Sequence, residues 1–123
     1  AHVGFFTDTD SPTVLLSELT RKHGVYTLPD AVHRISGKSA QIIGLKERGE
    51  LREGWHADIN VIDYENLSTT HAQYVNDFPH NGGRFVVKGI GYEATIVSGQ
   101  VVTRNGEYTG NRPGSVIRDF IRG

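Results

Sequence analysis

The chain has 123 residues, with 13 basic against 14 acidic side chains and neither cysteine nor methionine. That near-balance removes any general electrostatic case for nucleic acid or an anionic membrane as partner, and no apolar run approaches the roughly 20 residues of a membrane span. The absence of cysteine excludes disulfides, thiol nucleophiles and cysteine-type zinc sites and fits the cytoplasm.

The length suits one domain with a core of its own, and the first 45 residues read helical. Ser11 followed by Pro12 supplies an N-cap and a first-turn proline, and Val14, Leu15, Leu16 and Leu19 form an apolar stripe. Lys22 and His23 suit the negative end of that helix, and Gly24 stops it. A second helix is expected from Thr27, with Pro29 in its first turn and Asp30 completing a capping box. Its residues Ala31, Val32 and Ile35 would face inward, and Gly37 would end it. A third, short helix runs from Lys38 to Ile43 and stops at Gly44.

From about Leu51 the pattern turns to strands. The stretch ADINVID at 57–63 is one, and 84–110 divides at its glycines into two or three more, with a hairpin turning at Ser98-Gly99. Residues 64–83 are polar and turn-rich, which predicts a long surface excursion, and the tail after Pro113 predicts a short closing helix. The sum is an α+β chain of three helices followed by about four strands. Such a sheet has two open edges, which natural proteins cover or pair. A homo-oligomer formed through those edges or through exposed helix faces is therefore expected.

Several stretches invite a chemical reading. The opening AHVGFFTDTDSPTVLL sets His2, Asp8 and Asp10 just ahead of a helix, as an active-site loop does. Asp8 and Asp10 suit a cation or a carboxylate pair, but residues at this spacing equally cap the helix that begins at Ser11–Pro12 and meet the positive end of its dipole. His56-Ala57-Asp58 suggests acid–base work. The alternative is a carboxylate at the start of a strand bonding to turn amides. His2, His23, His33, His56, His71 and His80 stand singly, with no pair at metal-ligand spacing. GKS at 37–39 lacks the upstream glycine of a phosphate loop, since Val32 occupies that place. The sequon Asn66-Leu67-Ser68 carries no further signal.

The stretch GLKERGELREGWHADINVID at 44–63 is similar to the turn by which amidohydrolase-superfamily enzymes return from their barrel into a small β domain. Gly49, Leu51, Gly54, Ala57, Asp58, Ile59 and Val61 carry that pattern. LPDAVHRISGKSAQIIGLKERG at 28–49 and VSGQVVTRNGEYTGNRPGSVIR at 97–118 resemble the last barrel helices and the final hairpin and tail of N-acyl-D-amino-acid deacylases.

The resemblance implies an α+β fragment. Residues 1–45 would be the terminal helices of a (β/α)8 barrel with the loop after its last strand, and residues 46–123 part of a β-sandwich domain with its tail. It implies a parent that hydrolyses a linear amide in a small N-acyl substrate, with zinc as cofactor. The zinc ligands and the catalytic aspartate would lie upstream of Ala1, so no catalytic residue and no metal ligand is expected within the chain. His2, Asp8 and Asp10 would line the rim of that active site, and the rest of the parent chain would be the main partner. The missing methionine, absent even at position 1, fits either loss of an initiator or a chain cut from something longer. A stand-alone, non-catalytic module and a piece of another amidohydrolase, such as a dihydropyrimidinase, are the alternatives.

Overall fold

A computed structural model describes residues 10–120. Ser11–Val14 form one α-helical turn (α1), which continues without a break into π-helical turns over Leu15–Lys22. The sequence predicts an ordinary α-helix here, and its side-chain hydroxyls account for the difference. Ser17 Oγ donates to the Thr13 carbonyl at 2.8 Å and Thr20 Oγ1 to the Leu15 carbonyl at 2.7 Å. The amide of His23 reaches back five residues to Glu18 O at 2.9 Å. Hydroxyls competing for backbone carbonyls loosen the α ladder and favour the wider register. The expected stripe changes with it: Thr13, Leu16, Ser17 and Thr20 are buried, while Leu19 is exposed. The N-cap is Asp10 rather than Ser11, and its carboxylate makes no capping bond.

Helix α2 (Leu28–Ile35) starts where its cap predicts. Thr27 Oγ1 accepts from the Asp30 amide at 3.3 Å and pairs with the Asp30 carboxylate at 2.7 Å. Ser36, at φ −122° and ψ −86°, breaks the chain direction, so that Gly37 opens α3 (Gly37–Ile43) instead of ending α2. Gly44 ends α3 in the left-handed region at φ 71°. Of the three α2 residues expected inside, Ala31 alone is fully buried, whereas Val32 is 43% and Ile35 37% exposed.

The strands are β1 (Ile59–Ile62), β2 (Ser68–Thr69), β3 (Gln73–Phe78), β4 (Gly82–Val86), β5 (Gly89–Ile90), β6 (Tyr92–Val97), β7 (Gln100–Arg104) and β8 (Glu107–Tyr108). An antiparallel four-stranded sheet runs in the order β1-β6-β7-β8, with Ile59 opposite Ile96 and Val61 opposite Ala94. The β6–β7 hairpin turns at Ser98-Gly99, as its sequence predicts. The expected excursion at 64–83 is not irregular throughout. It contributes β2, which pairs with β5, and β3, which forms a two-stranded ribbon with β4. No helix follows Pro113 among the described residues. So short a segment needs an apolar face to bury, and Val116 is 79% exposed.

The core is small. Leu16, Ala31 and Leu67 form its buried centre, with Leu15, Tyr26, Ile62, Tyr64 and Tyr92 packed around them. Two polar links join the helices to the β region across this core. Thr13 Oγ1 and the Tyr92 hydroxyl share a hydrogen bond of 2.7 Å. The Arg21 guanidinium donates to Tyr64 O and, at 2.8 Å, to Leu67 O, and lies 5.6 Å from the Tyr64 ring centre.

Candidate functional site

The most fully built polar arrangement is the turn that joins α3 to β1. Gly49 sits at φ 84° with its Cα pressed on the α2–α3 junction. A Cβ there would lie 2.6 Å from Ala40 Cβ and 2.9 Å from Ser36 O, so glycine is required both for the backbone conformation and for the space. The turn then reverses at Gly54 (φ 82°), where the Trp55 amide donates to Arg52 O at 3.1 Å and the Arg52 guanidinium lies 4.9 Å from the Trp55 ring centre.

Asp58 closes the turn. One carboxylate oxygen accepts from the Ser98 amide at 2.8 Å, and the other pairs with Arg48. The Gly99 amide donates to Ala57 O at 3.0 Å, and the His56 amide to Glu47 O at 3.0 Å. The carboxylate of the His56-Ala57-Asp58 stretch therefore ties the start of β1 to the β6–β7 turn, and its oxygens are engaged in bonds that hold the fold. Of the two sequence readings, the bond to turn amides is the one observed. Arg48 was not legible as its partner, because it lies ten positions upstream across a non-repetitive turn that leaves no periodic signal.

Beside this turn lies an open groove of about 480 Å³, walled by Ile42, Ile43 and Leu45 with Gln41, Arg48 and Trp55 at its edges. Its chemistry suits packing. Glu50, hydrogen-bonded to the Arg52 guanidinium, is its one carboxylate, and no histidine lines it.

His2 and Asp8 lie outside the described residues, and Asp10 stands at the N-cap of α1, apart from the groove. Among the described residues no three histidine, aspartate or glutamate side chains converge as metal ligands would, so the residues present do not fit a metal centre. The carboxylates with displaced titration ranges are surface groups with local partners. The Lys22 ammonium holds Glu18 below its ordinary range, the Asn66 side-chain amide does so for Asp63, and the Arg84 guanidinium for Asp77. Asp77 in turn raises Arg84. None of these pairs lines the groove. No helix among the described residues is long and apolar enough to cross a membrane.

Against known proteins, residues 2–103 match the Amidohydrolase family. The chain is 35% identical over 106 residues to N-acyl-D-aspartate deacylase of Alcaligenes xylosoxydans xylosoxydans, covering 85% of this chain and 19% of that protein. It is 31% identical over 99 residues to dihydroorotase of Lactobacillus acidophilus, covering 76% of this chain and 22% of the relative. The crystal structure of D-aminoacylase superposes with a TM-score of 0.64 at 28% identity, over 81% of this chain and 19% of that one. A further D-aminoacylase structure, similar to the same extent, concerns the functional role of that enzyme's binuclear metal center. The chain thus spans about a fifth of the length of the relatives it matches.

Proposed function

Because the chain belongs to the amidohydrolase family, we propose that it is the closing part of a zinc-dependent hydrolase of linear amides, acting on an N-acyl-D-amino acid or a related small N-acyl compound. The carrying observation is the family match over residues 2–103 in a chain that covers only 19% of the deacylase it resembles. In this reading residues 1–45 complete the barrel, and residues 46–123 supply one part of its β-sandwich. The exposed apolar side chains of α2 and α3 support it, since such faces call for something to pack against.

The metal ligands and the proton-handling aspartate belong to the remainder of the polypeptide, and this chain contributes no catalytic step. Its part is positional. The Thr13–Tyr92 and Arg21 links fix α1 and the π-helical turns against the β region.

The 123-residue chain incubated with zinc and N-acetyl-D-amino acids is expected to show no turnover above a metal-free control, and turnover would overturn the assignment. The coding sequence upstream of Ala1 is expected to contain an HxH and an Asp-Ala-Gly. A start codon immediately before Ala1 would instead support a stand-alone, non-catalytic module. The similarity to dihydroorotase supports a second reading, a different amidohydrolase such as a dihydropyrimidinase. Substrate profiling of the full-length enzyme separates the two.

A further inference from the structure

Asparagine followed by glycine occurs twice in the chain, at Asn81-Gly82 and Asn105-Gly106. In both pairs the residue after the side-chain carboxamide has no Cβ to keep its amide nitrogen away from the carboxamide carbon. The fold treats the two pairs differently. Asn81, at φ 58°, stands at the tip of the β3–β4 ribbon, and the Gly82 amide donates to Pro79 O. Gly82 is half-buried opposite Phe78, and Arg84 clamps Asp77 beside it through hydrogen bonds of 2.7 and 2.6 Å. Asn105 and Gly106, at φ 50° and 79°, form the two-residue turn between β7 and β8 that such a pair favours. The Asn105 amide is anchored on Glu93 O at 2.8 Å, which fixes the main chain just ahead of the carboxamide. Past that point the chain is open. Both residues are exposed, the Gly106 amide has no backbone acceptor among the described residues, and a Cβ on Gly106 would meet nothing within 4 Å. Strand β8 is two exposed residues at the sheet edge, the kind of element that opens locally at low cost.

We propose that Asn105 is a site of spontaneous covalent modification, at which the Gly106 amide nitrogen displaces the side-chain amide. The nitrogen attacks Asn105 Cγ, a C–N bond forms within the chain, and the side-chain nitrogen leaves as ammonia, taking up the amide proton. Water then opens the resulting cyclic imide at either carbonyl. One product is aspartate. The other is isoaspartate, whose main chain runs through the former side chain and is longer by a methylene. Both place a new negative charge at the hairpin tip next to Glu107, and isoaspartate also disturbs the pairing of Arg104 with Glu107 across the turn. Nucleophile and carbonyl carbon belong to adjacent residues, so the reaction needs no cofactor and no partner beyond water. Asn81 is the slower site, because its nucleophile must first give up the bond to Pro79 O.

Timed incubation of the 123-residue chain in warm, mildly alkaline buffer, followed by peptide mass spectrometry, tests this. The amide-to-acid mass change is expected to appear at Asn105 about fivefold faster than at Asn81, the factor that one hydrogen bond of ordinary net strength corresponds to. Labelling by an isoaspartate carboxyl methyltransferase with S-adenosylmethionine is expected to rise in parallel. It should fall by most of its amount in Asn105→Gly, a change that the positive φ accepts. In urea the two sites are expected to react at similar rates, since the difference comes from the fold. Equal or faster reaction at Asn81 in the folded chain would overturn the proposal. So would an Asn105 that stays intact while the urea-unfolded chain reacts, a preference for Asn105 that persists in urea, or labelling undiminished in Asn105→Gly.

Discussion

In the turn over residues 44–63 the carboxylate of Asp58 has two partners, the Gly49 backbone touches the α2–α3 junction, and the reversal at Gly54 is closed by a backbone hydrogen bond. On the adjoining helices, Val32, Ile35, Ile42 and Ile43 remain 37% to 73% exposed. The turn closes on itself because its partners lie within a few residues or in the neighbouring hairpin. The helices have the amphipathic faces of buried elements, but the buried core they share within this chain is small. The difference separates what this chain completes by itself from apolar faces it leaves uncovered.

The largest expected effect comes from breaking the finished region. Gly49→Ala forces a side chain into a positive-φ site that is already occupied and is expected to cost about 3 kcal/mol, read from the urea unfolding midpoint. An unchanged midpoint would show that the turn is not close-packed. Asp58→Ala leaves Arg48 and the Ser98 amide without their acceptor and is expected to cost about 1–2 kcal/mol by the same measurement, with Asp58→Asn losing less. On the unfinished side, Ile42→Ser is expected to change stability by less than about 0.5 kcal/mol and to reduce non-specific association at high concentration. A large loss of stability would mean that Ile42 is already covered within the chain.

The smallest effect is a titration. Asp63, at the end of the same stretch, accepts from the Asn66 amide at 3.3 Å and its side-chain amide at 2.7 Å, which lowers the carboxyl pKa in the folded state. A depressed folded pKa means the contribution is present above the ordinary carboxylate range and is lost as pH falls through the folded value. NMR titration of the Asp63 carboxyl carbon should place its midpoint below that of unpaired aspartates, and Asn66→Ala, which removes the side-chain bond and leaves the backbone amide bonds, should move it part of the way back.

Much of the fold was legible because its determinants are local. Thr27 and Asp30 announce the start of α2, Gly44 the end of α3, Ser98-Gly99 the central hairpin, and Asp58 its bonds to turn amides. The β3–β4 ribbon was hidden by a bulge between Val75 and Phe78, which breaks the alternation by which strands are recognised, and by a polar composition. Its strands are stabilised by cross-strand pairs such as Tyr74 with Phe85, contacts that no local pattern displays. The candidate site was legible only as residue types: Asp10 proved to stand at a helix N-cap apart from the groove, while His2 and Asp8 lie outside the described residues.

By itself the sequence determined that helices precede strands, the Thr27 cap, the turns at Gly44 and Ser98-Gly99, and the kinship to amidohydrolases, because each rests on residues close together in the chain. Only the tertiary structure decided that residues 73–86 would pair as a ribbon and that Arg48 would meet Asp58. These outcomes depend on partners brought together by folding. The same holds for the amphipathic faces of α2 and α3: sequence can show that a face is apolar, but its burial depends on what lies opposite.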